Sequence, residues 1–247
     1  MAARLKGEAK RRYVAAMFSR IVPRYDLMNT LMTAGMHHRW RRRAARKAVE
    51  GLAGRALDLA TGTGDLALEL VRSGQVTTVV GLDLVPDMLQ AARAKFLRRG
   101  VQSIALVAGD ALSLPFPDGT FACVTSGFLL RNLPDLEAAL REMVRVTRPG
   151  GRVVALDITP VASRGLFSAL FRFYFRRVVP WMGGLIAGDR EAYTYLPSSV
   201  DPFPPAPELA RLFESAGLEQ VGYRLMGLGT VALHLAERPP HEPRHGR

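Results

Sequence analysis

Cysteine is almost missing from this 247-residue chain: Cys123 is the single one, so no internal disulfide can form. It stands in the apolar run Phe121-Ala-Cys-Val-Thr125 and reads as a small buried hydrophobe. Long apolar runs are missing as well. No stretch of about 18 uncharged apolar residues occurs, which excludes a membrane-spanning helix. The basic amino terminus is followed by no apolar stretch of signal-peptide length. Together these absences predict a cytoplasmic protein whose membrane contact, if it has any, is peripheral on the inner face of the cell membrane. Histidine is sparse: His37 and His38 lie in a basic segment, His234 in a late apolar run, and His241 and His245 near the end. Their spacing suggests no metal centre, one cysteine cannot help build one, and no metal is expected. Lys6, Lys10, Lys47 and Lys95 are the only lysines among 34 basic residues; we attribute the excess of arginine to codon bias and give it no function.

Acidic residues are few, 22 against those 34, leaving a net charge of +12. The excess is concentrated in the first fifth of the chain, at Lys10-Arg-Arg12, Arg20, Arg24, Arg39, Arg41-Arg-Arg43, Arg46 and Lys47. Such a surface attracts polyanions, either nucleic acid or an anionic membrane face, unless it is simply a solvated face. The 48% apolar and 23% charged composition is that of a globular chain, and the length suits one large α/β domain.

Residues 1–50 read as a helical cap, with Tyr13, Met17, Ile21, Leu27 and Leu31 at helical spacing and Pro23 as a break. Strands are expected at 55–60, 77–82, 104–108, 120–126 and 151–157, and helices at 64–73, 86–98 and 135–146. Pro86 marks a first turn, and Gly74, Gly100 and Gly150 follow helix ends. This alternation implies parallel strands joined by right-handed crossovers, with ligands at their carboxyl ends. The stretch 161–187 is strongly apolar, from Leu166 to Trp181, but Arg164, Arg172, Arg176 and Arg177 interrupt it. It is too charged to span a bilayer. It could lie at an interface, cap a greasy substrate, or pack as an ordinary helix. A proline-rich loop is expected at 197–207, then a helix to about 216. Strands near 218–226 and 229–236 should form a hairpin, ahead of a disordered tail at 238–247. The main domain therefore spans 51–237, with a helical insertion at about 161–196.

Chemistry concentrates at Arg55-Ala-Leu-Asp-Leu-Ala-Thr-Gly-Thr-Gly-Asp65, a buried strand ending in a glycine turn that opens a helix. Glycines here permit close backbone approach to a ligand. The flanking acids Asp58 and Asp65 suit a cationic ligand better than a pyrophosphate. Gly62-Thr-Gly-Asp-Leu-Ala67 nevertheless fits the dinucleotide pattern as well, and Asp83, 19 residues beyond Gly64, stands where either kind of site places a ribose-binding acid. The turn thus admits a methyl-donor site, a nicotinamide or flavin site, or a structural turn without ligand. Asp110, after the third strand, could accept from an adenine amine, and that tilts the choice toward S-adenosyl-L-methionine. Asp118, in Pro115-Phe-Pro-Asp-Gly119, reads as a turn residue. Arg131 and Asn132 follow the fourth strand, at the rim where chemistry would occur.

Taken together, these residues resemble the class I methyltransferases, and more specifically the quinone-biosynthesis C-methyltransferases acting on demethylmenaquinol or 2-polyprenyl-6-methoxybenzoquinol. The likeness runs from about Phe18 to His234. It rests on Tyr25-Asp-Leu-Met-Asn29, Gly35-Met-His-His-Arg-Trp-Arg41, Asp58-Leu-Ala-Thr-Gly-Thr-Gly-Asp65, Gly109-Asp-Ala111, Leu114-Pro-Phe-Pro-Asp118 and Leu130-Arg-Asn132. Glu142-Met-x-Arg-Val146, Arg148-Pro-Gly-Gly151, Ala192-Tyr-Thr-Tyr-Leu-Pro197 and Phe203-Pro204 extend it. The resemblance implies a Rossmann-like seven-stranded α/β sheet, mostly parallel with a C-terminal antiparallel hairpin. It implies S-adenosyl-L-methionine held by Asp58, Thr61, Gly62, Thr63, Gly64, Asp83, Leu84, Met88, Asp110, Ala111, Ser126 and Gly127.

The same resemblance implies a polyprenyl quinol acceptor, handled by Arg131, Tyr25 and Asn132, with His37 as a weaker base candidate. We expect the 161–187 segment and the amino-terminal helices to shelter the isoprenoid tail and the basic face to dock on an anionic membrane surface; a homodimer is left open. The acceptor should be the reduced ring, because loss of a hydroxyl proton makes a ring carbon nucleophilic. Leu129 stands where the family usually has glycine, Leu196-Pro-Ser-Ser199 replaces Leu-Pro-Glu-Ser, and Asp157 matches a late acid loosely. Two rivals remain open. The charge favours an RNA methyltransferase, but no base-flipping loop of the Asn-Pro-Pro-Tyr type and no RNA module is present, so no nucleic acid partner is expected. Leu129 leaves room for a cofactor-binding protein without turnover.

Overall fold

The computed structural model describes residues 5–161 and 165–240. Three helices come first, α1 (Gly7–Ile21), α2 (Tyr25–Thr33) and α3 (Met36–Val49), with a single 3-10 turn at Val22–Arg24 around Pro23. Strands and helices then alternate: β1 (Gly54–Leu59), α4 (Asp65–Arg72), β2 (Val76–Asp83), α5 (Pro86–Arg98), β3 (Ile104–Ala108), β4 (Phe121–Gly127), α6 (Leu136–Val146) and β5 (Thr147–Ile158). The expected strand and helix positions hold to within a few residues. Pro86 does open α5, and Asp135 caps α6 by accepting from the Ala138 amide at 2.9 Å.

The sheet order is β3-β2-β1-β4-β5, followed by β7 (Val231–Glu237) and β6 (Glu219–Met226). The first five strands are mutually parallel, while β7 runs antiparallel to both β5 and β6. After β3 the chain crosses to the far side of β1 to form β4. The loops leaving β1 and β4 therefore diverge, and a crevice opens at the carboxyl ends of the strands. One core cluster, with Leu57, Phe121, Leu140 and Phe213, packs around the sheet; a second joins Leu68, Leu70, Cys123 and Leu156 to α3 through Ala44, Ala45, Ala48 and Val49. Cys123 is buried, as expected.

From Leu166 to Ala187 the chain is helical throughout. Here α7 (Leu166–Phe173) and α8 (Val179–Met182) are joined and extended by π-turns at Tyr174–Val178 and Gly183–Ala187. Next come α9 (Arg190–Val200) and α10 (Ala206–Ser215). The expected loop at 197–207 begins too early, because α9 continues through Pro197. Proline cannot donate to the preceding turn. The helix therefore forgoes the backbone bond to the Tyr193 carbonyl, while the Ser198 hydroxyl bonds the neighbouring Tyr195 carbonyl at 2.8 Å and Thr194 carbonyl at 3.3 Å. A third cluster of Met17, Ile21, Met28, Val179, Tyr193 and Tyr195 ties α1 and α2 to this insertion. Among the described residues no helix is long and apolar enough to cross a membrane.

At the far end, the Arg238 amide bonds the Gly151 carbonyl at 2.8 Å, and its guanidinium reaches the Val144, Arg145 and Thr147 carbonyls. Arg238 thus belongs to the folded body. Residues 241–247 of the expected tail, with His241 and His245, and Arg164 of the insertion lie outside the described residues.

Candidate active site

The turn after β1 is held from below. Thr61 and Thr125 donate their hydroxyls to the two oxygens of Asp58, at 2.8 and 2.9 Å. Burial drives the Asp58 pKa up to about 7, against the pull of those two hydroxyls. From beside the turn, Asp83 accepts from the Gly62 amide at 2.7 Å and the Val85 amide at 2.9 Å. Burial raises its pKa too, and the backbone bonds oppose the rise.

Above the turn lies a cavity bounded by Gly62, Asp83, Leu84, Met88, Asp110 and Ala111. Gly127, Leu129 and Asn132 bound its other side, and Arg11, Phe18 and Tyr25 close it from α1 and α2. Of the expected cofactor residues, Asp58, Thr61, Thr63, Gly64 and Ser126 do not line this space. Asp58 and Thr61 bond each other beneath it. Thr63 donates to Asp26 at 2.6 Å and accepts from Lys95 at 3.0 Å, Gly64 faces Phe96, and the Ser126 hydroxyl is buried without a partner. Sequence reasoning missed Arg11, whose guanidinium meets Asp110 at 2.7 Å from 99 residues away.

A second cavity, of about 330 Å³, opens between α1, α2, α3, the insertion and the β6–β7 turn. Its walls are overwhelmingly apolar, among them Met17, Ile21 and a ladder of stacked rings, Phe167–Phe171 and Phe171–Phe175, with centroids 6.4 and 5.3 Å apart. Phe18, Tyr25, Phe128 and Asn132 line both cavities, so the two spaces meet at one wall.

The inner end of the second cavity is polar and incompletely bonded. Arg131 Nε, Asn132 Oδ1, Tyr193 OH and Tyr195 OH are buried without partners, and all four residues line it. Buried polar atoms are ordinarily bonded, so four orphans on residues lining one space suit it to a ligand with its own polar groups. Arg131 is fixed by Asp157, at 2.5 Å, and by the Phe128 carbonyl, at 2.8 Å. That same carbonyl accepts from Asn132 Nδ2 at 3.1 Å.

Phe128 therefore organises this end, a role sequence reasoning did not give it. It takes φ +64°, unusual for a side chain of its size. Its ring has the Arg41 and Arg131 guanidinium carbons 5.2 and 5.9 Å from its centroid. Leu129, by contrast, sits at an ordinary φ of −95° and lines the first cavity. Replacing the family glycine there introduces no backbone strain.

His37 borders the second cavity, but neither ring nitrogen is free. Arg41 donates to Nδ1, so Nε2 carries the proton and faces the Thr30 hydroxyl at 3.2 Å. Burial, followed by the Arg41 charge, lowers its pKa to about 4 and keeps it neutral. His38 and Asp65 bring one ligand atom each close to His37. Asp65 is already paired with Lys95 at 2.7 Å and Arg41 at 4.0 Å, and two cations so placed oppose a third. Tyr25 is partly buried, and desolvation of its phenol raises its pKa, so it remains protonated.

The model of the ubiE/COQ5 methyltransferase family matches residues 6–238. The chain belongs to that family. Membership settles the choice left open at the glycine turn: this ubiE/COQ5-family enzyme takes its methyl group from S-adenosyl-L-methionine. The chain is 49% identical to the demethylmenaquinone methyltransferase of Thermus thermophilus over 90% of its own length and all of the relative's. It is 45% identical to a ubiquinone/menaquinone biosynthesis C-methyltransferase UbiE from Desulfotalea psychrophila, over 90% of this chain and 88% of that one. Among solved structures, the cyclase SpnF superposes with a TM-score of 0.67 at 17% identity, covering 92% of this chain and 95% of that one; this likeness concerns the fold alone. The first cavity presents two acids, Asp83 and Asp110, beside a turn where Gly62 has no heavy atom nearer than 3.9 Å to a Cβ position.

Proposed function

We propose that the chain methylates a ring carbon of demethylmenaquinol, the menaquinone-pathway substrate named for its Thermus relative. The observation that carries this reading is the apolar second cavity, whose orphaned polar end abuts the methyl-donor cavity across Phe18, Tyr25, Phe128 and Asn132. A flat aromatic head with two oxygens and an isoprenoid tail matches such a space. S-adenosyl-L-methionine supplies a methyl already electrophilic on sulfonium. Gly62, Asp83, Leu84, Met88, Asp110 and Ala111 would hold it, with Asp58 and Thr61 shaping the turn from below.

The chain's own part is to prepare the ring. Arg131, its guanidinium anchored by Asp157 with Nε left over, holds the ring oxygen as it loses its proton, and Arg41 adds positive charge behind Phe128. His37 has no lone pair to spare, so the proton leaves through water held at Arg131. Tyr25 and Asn132 orient the ring, and the apolar walls exclude bulk water. Arg131→Ala should lower kcat by roughly 100-fold or more while S-adenosylhomocysteine affinity stays within about twofold, since Arg131 lines only the second cavity. Normal turnover in that variant would remove Arg131 from the mechanism.

Labelled S-adenosyl-L-methionine, offered with reduced demethylmenaquinone and with the ubiquinone-pathway benzoquinol precursor, tests the acceptor. Label should enter the naphthoquinol with the higher kcat/KM. The opposite preference would assign the chain to the benzoquinol, an activity in keeping with the Desulfotalea relative's name.

We further infer that the enzyme collects its substrate from the cytoplasmic face of the membrane. Met36, Phe167 and Leu228 line the second cavity while 42%, 40% and 78% exposed, and Leu166, Leu170, Trp181 and Leu185 extend exposed apolar surface along the insertion. Arg39, Arg43 and Arg46 of α3 supply positive charge around a neighbouring cleft that shares Trp40. Flotation with phosphatidylglycerol vesicles, but not with phosphatidylcholine alone, and its loss at high salt, would support this. Absence of flotation with either lipid would refute it.

A further inference from the structure

We propose that Asn132 reads the redox state of the ring before any chemistry occurs: its Oδ1 accepts a hydrogen bond from a hydroxyl that only the reduced ring carries. The proposal rests on the demethylmenaquinol reading and assigns a specificity device within that site.

Asn132 is 6% exposed, and its amide has one possible orientation. The Phe128 carbonyl, 3.1 Å from Nδ2, can only accept, so the amino group must face it. Turning the amide over would set two acceptors against each other. The Phe128 carbonyl cannot easily move away, because it also receives the Arg131 guanidinium at 2.8 Å. The Phe128 amide is itself bonded to the Leu156 carbonyl at 2.6 Å. Oδ1 is thereby committed as a buried acceptor with no donor, in a side chain that lines both cavities.

A buried acceptor recognises a donor. The quinol brings O–H groups and satisfies it, whereas the quinone brings carbonyl oxygens and leaves it unpaired. Leaving such an atom unsatisfied weakens binding by about tenfold or more, and sites built around a substrate hydroxyl reject analogues lacking one. The oxidised ring is in any case no nucleophile and would not react. Discrimination at the binding stage has a separate effect, since it keeps unreactive quinone from occupying the cavity.

The test is anaerobic calorimetry on the full chain with S-adenosylhomocysteine bound, using a short-tailed demethylmenaquinone in reduced and oxidised forms. The wild type should bind the reduced form at least about tenfold more tightly. In Asn132→Leu that ratio should fall to near one through loss of affinity for the reduced form. Because both ligands are measured on the same variant, a general loss of folding cancels from the ratio. Should the variant not fold, the wild-type ratio still decides. Equal wild-type affinities, or a ratio unchanged in Asn132→Leu, would overturn the proposal. If both forms bind equally and the reduced one is methylated, the proposed function stands and this inference alone falls. If neither form binds, it is the demethylmenaquinol reading that fails.

Discussion

Gly64→Ala separates two meanings of the glycine turn. Glycines in such a loop are ordinarily credited with letting backbone approach a ligand, yet Gly64 points away from the cavity. A Cβ built on it falls deep inside the contact distance of Phe96 Cζ and Cε1, and its φ is +84°. The conformational cost of a left-handed alanine is roughly 1–2 kcal/mol. Displacing Phe96, only 4% exposed and packed in the α4–α5 side of the core, adds about 1–3 kcal/mol. At roughly 2–4 °C per kcal/mol for a chain of this size, the melting temperature should drop by about 10 °C. Urea unfolding of Gly64→Ala, Phe96→Leu and the double variant measures the two parts. Relieving the clash should return about 1 kcal/mol or more of favourable coupling and leave the backbone part in place. Well below its melting temperature, the single variant should still bind S-adenosylhomocysteine within about threefold of wild type. Selective loss of that affinity with an unchanged melting temperature would refute the packing role and restore the ligand-approach role.

Asp58→Asn should make stability less dependent on pH. The folded carboxyl titrates near 7 and the unfolded one near 3.9. Between these values the folded chain keeps a proton the unfolded chain has lost, so wild-type stability falls as pH rises. The variant's advantage over wild type should grow by about 2.5 kcal/mol from pH 5 to pH 8, and urea midpoints giving a constant difference would count against it. Lys95→Met removes the cation shared by Asp26 and Asp65, each 2.7 Å from Nζ. With Asp26 half-exposed, a loss of about 2–3 kcal/mol is expected, together with faster proteolysis within α2, which Asp26 no longer ties down. Unchanged cleavage of that helix would show that it is held by its apolar contacts alone.

Much of the sheet was legible because β1, β2 and β4 each carry four or more consecutive buried residues, so their mainly apolar positions come in runs rather than in alternation. The candidate site was legible only where a residue's task depends on its place along the strand. Asp83 ends β2, Asp110 lies two residues beyond β3, and both reach the cavity, while Asp58 lies within β1 and turns beneath the loop. That distinction depends on strand register and is invisible in a motif. Pro197 misled because α9 runs on through it at the loss of one backbone bond. Arg11 with Asp110, and Phe128 with both Arg131 and Asn132, are pairings of tertiary structure that no local pattern announces. The orphaned atoms around the second cavity are still less accessible from sequence, since an unpaired group can be recognised only once every potential partner has been placed.

The helix α1 contributes Arg11 and Phe18 to one cavity and Met17, Phe18 and Ile21 to the other. A residue such as Phe18 answers to two ligands at once. Selection on the acceptor therefore cannot reshape this helix without also testing each change against the methyl donor, whose structure does not vary. The freedom to accept a different ring or a longer tail is displaced onto the insertion, where Phe167, Phe171 and Phe175 touch only the second cavity. Chains that share this donor site but serve different quinols should accordingly diverge most in the insertion and least along the inner face of α1.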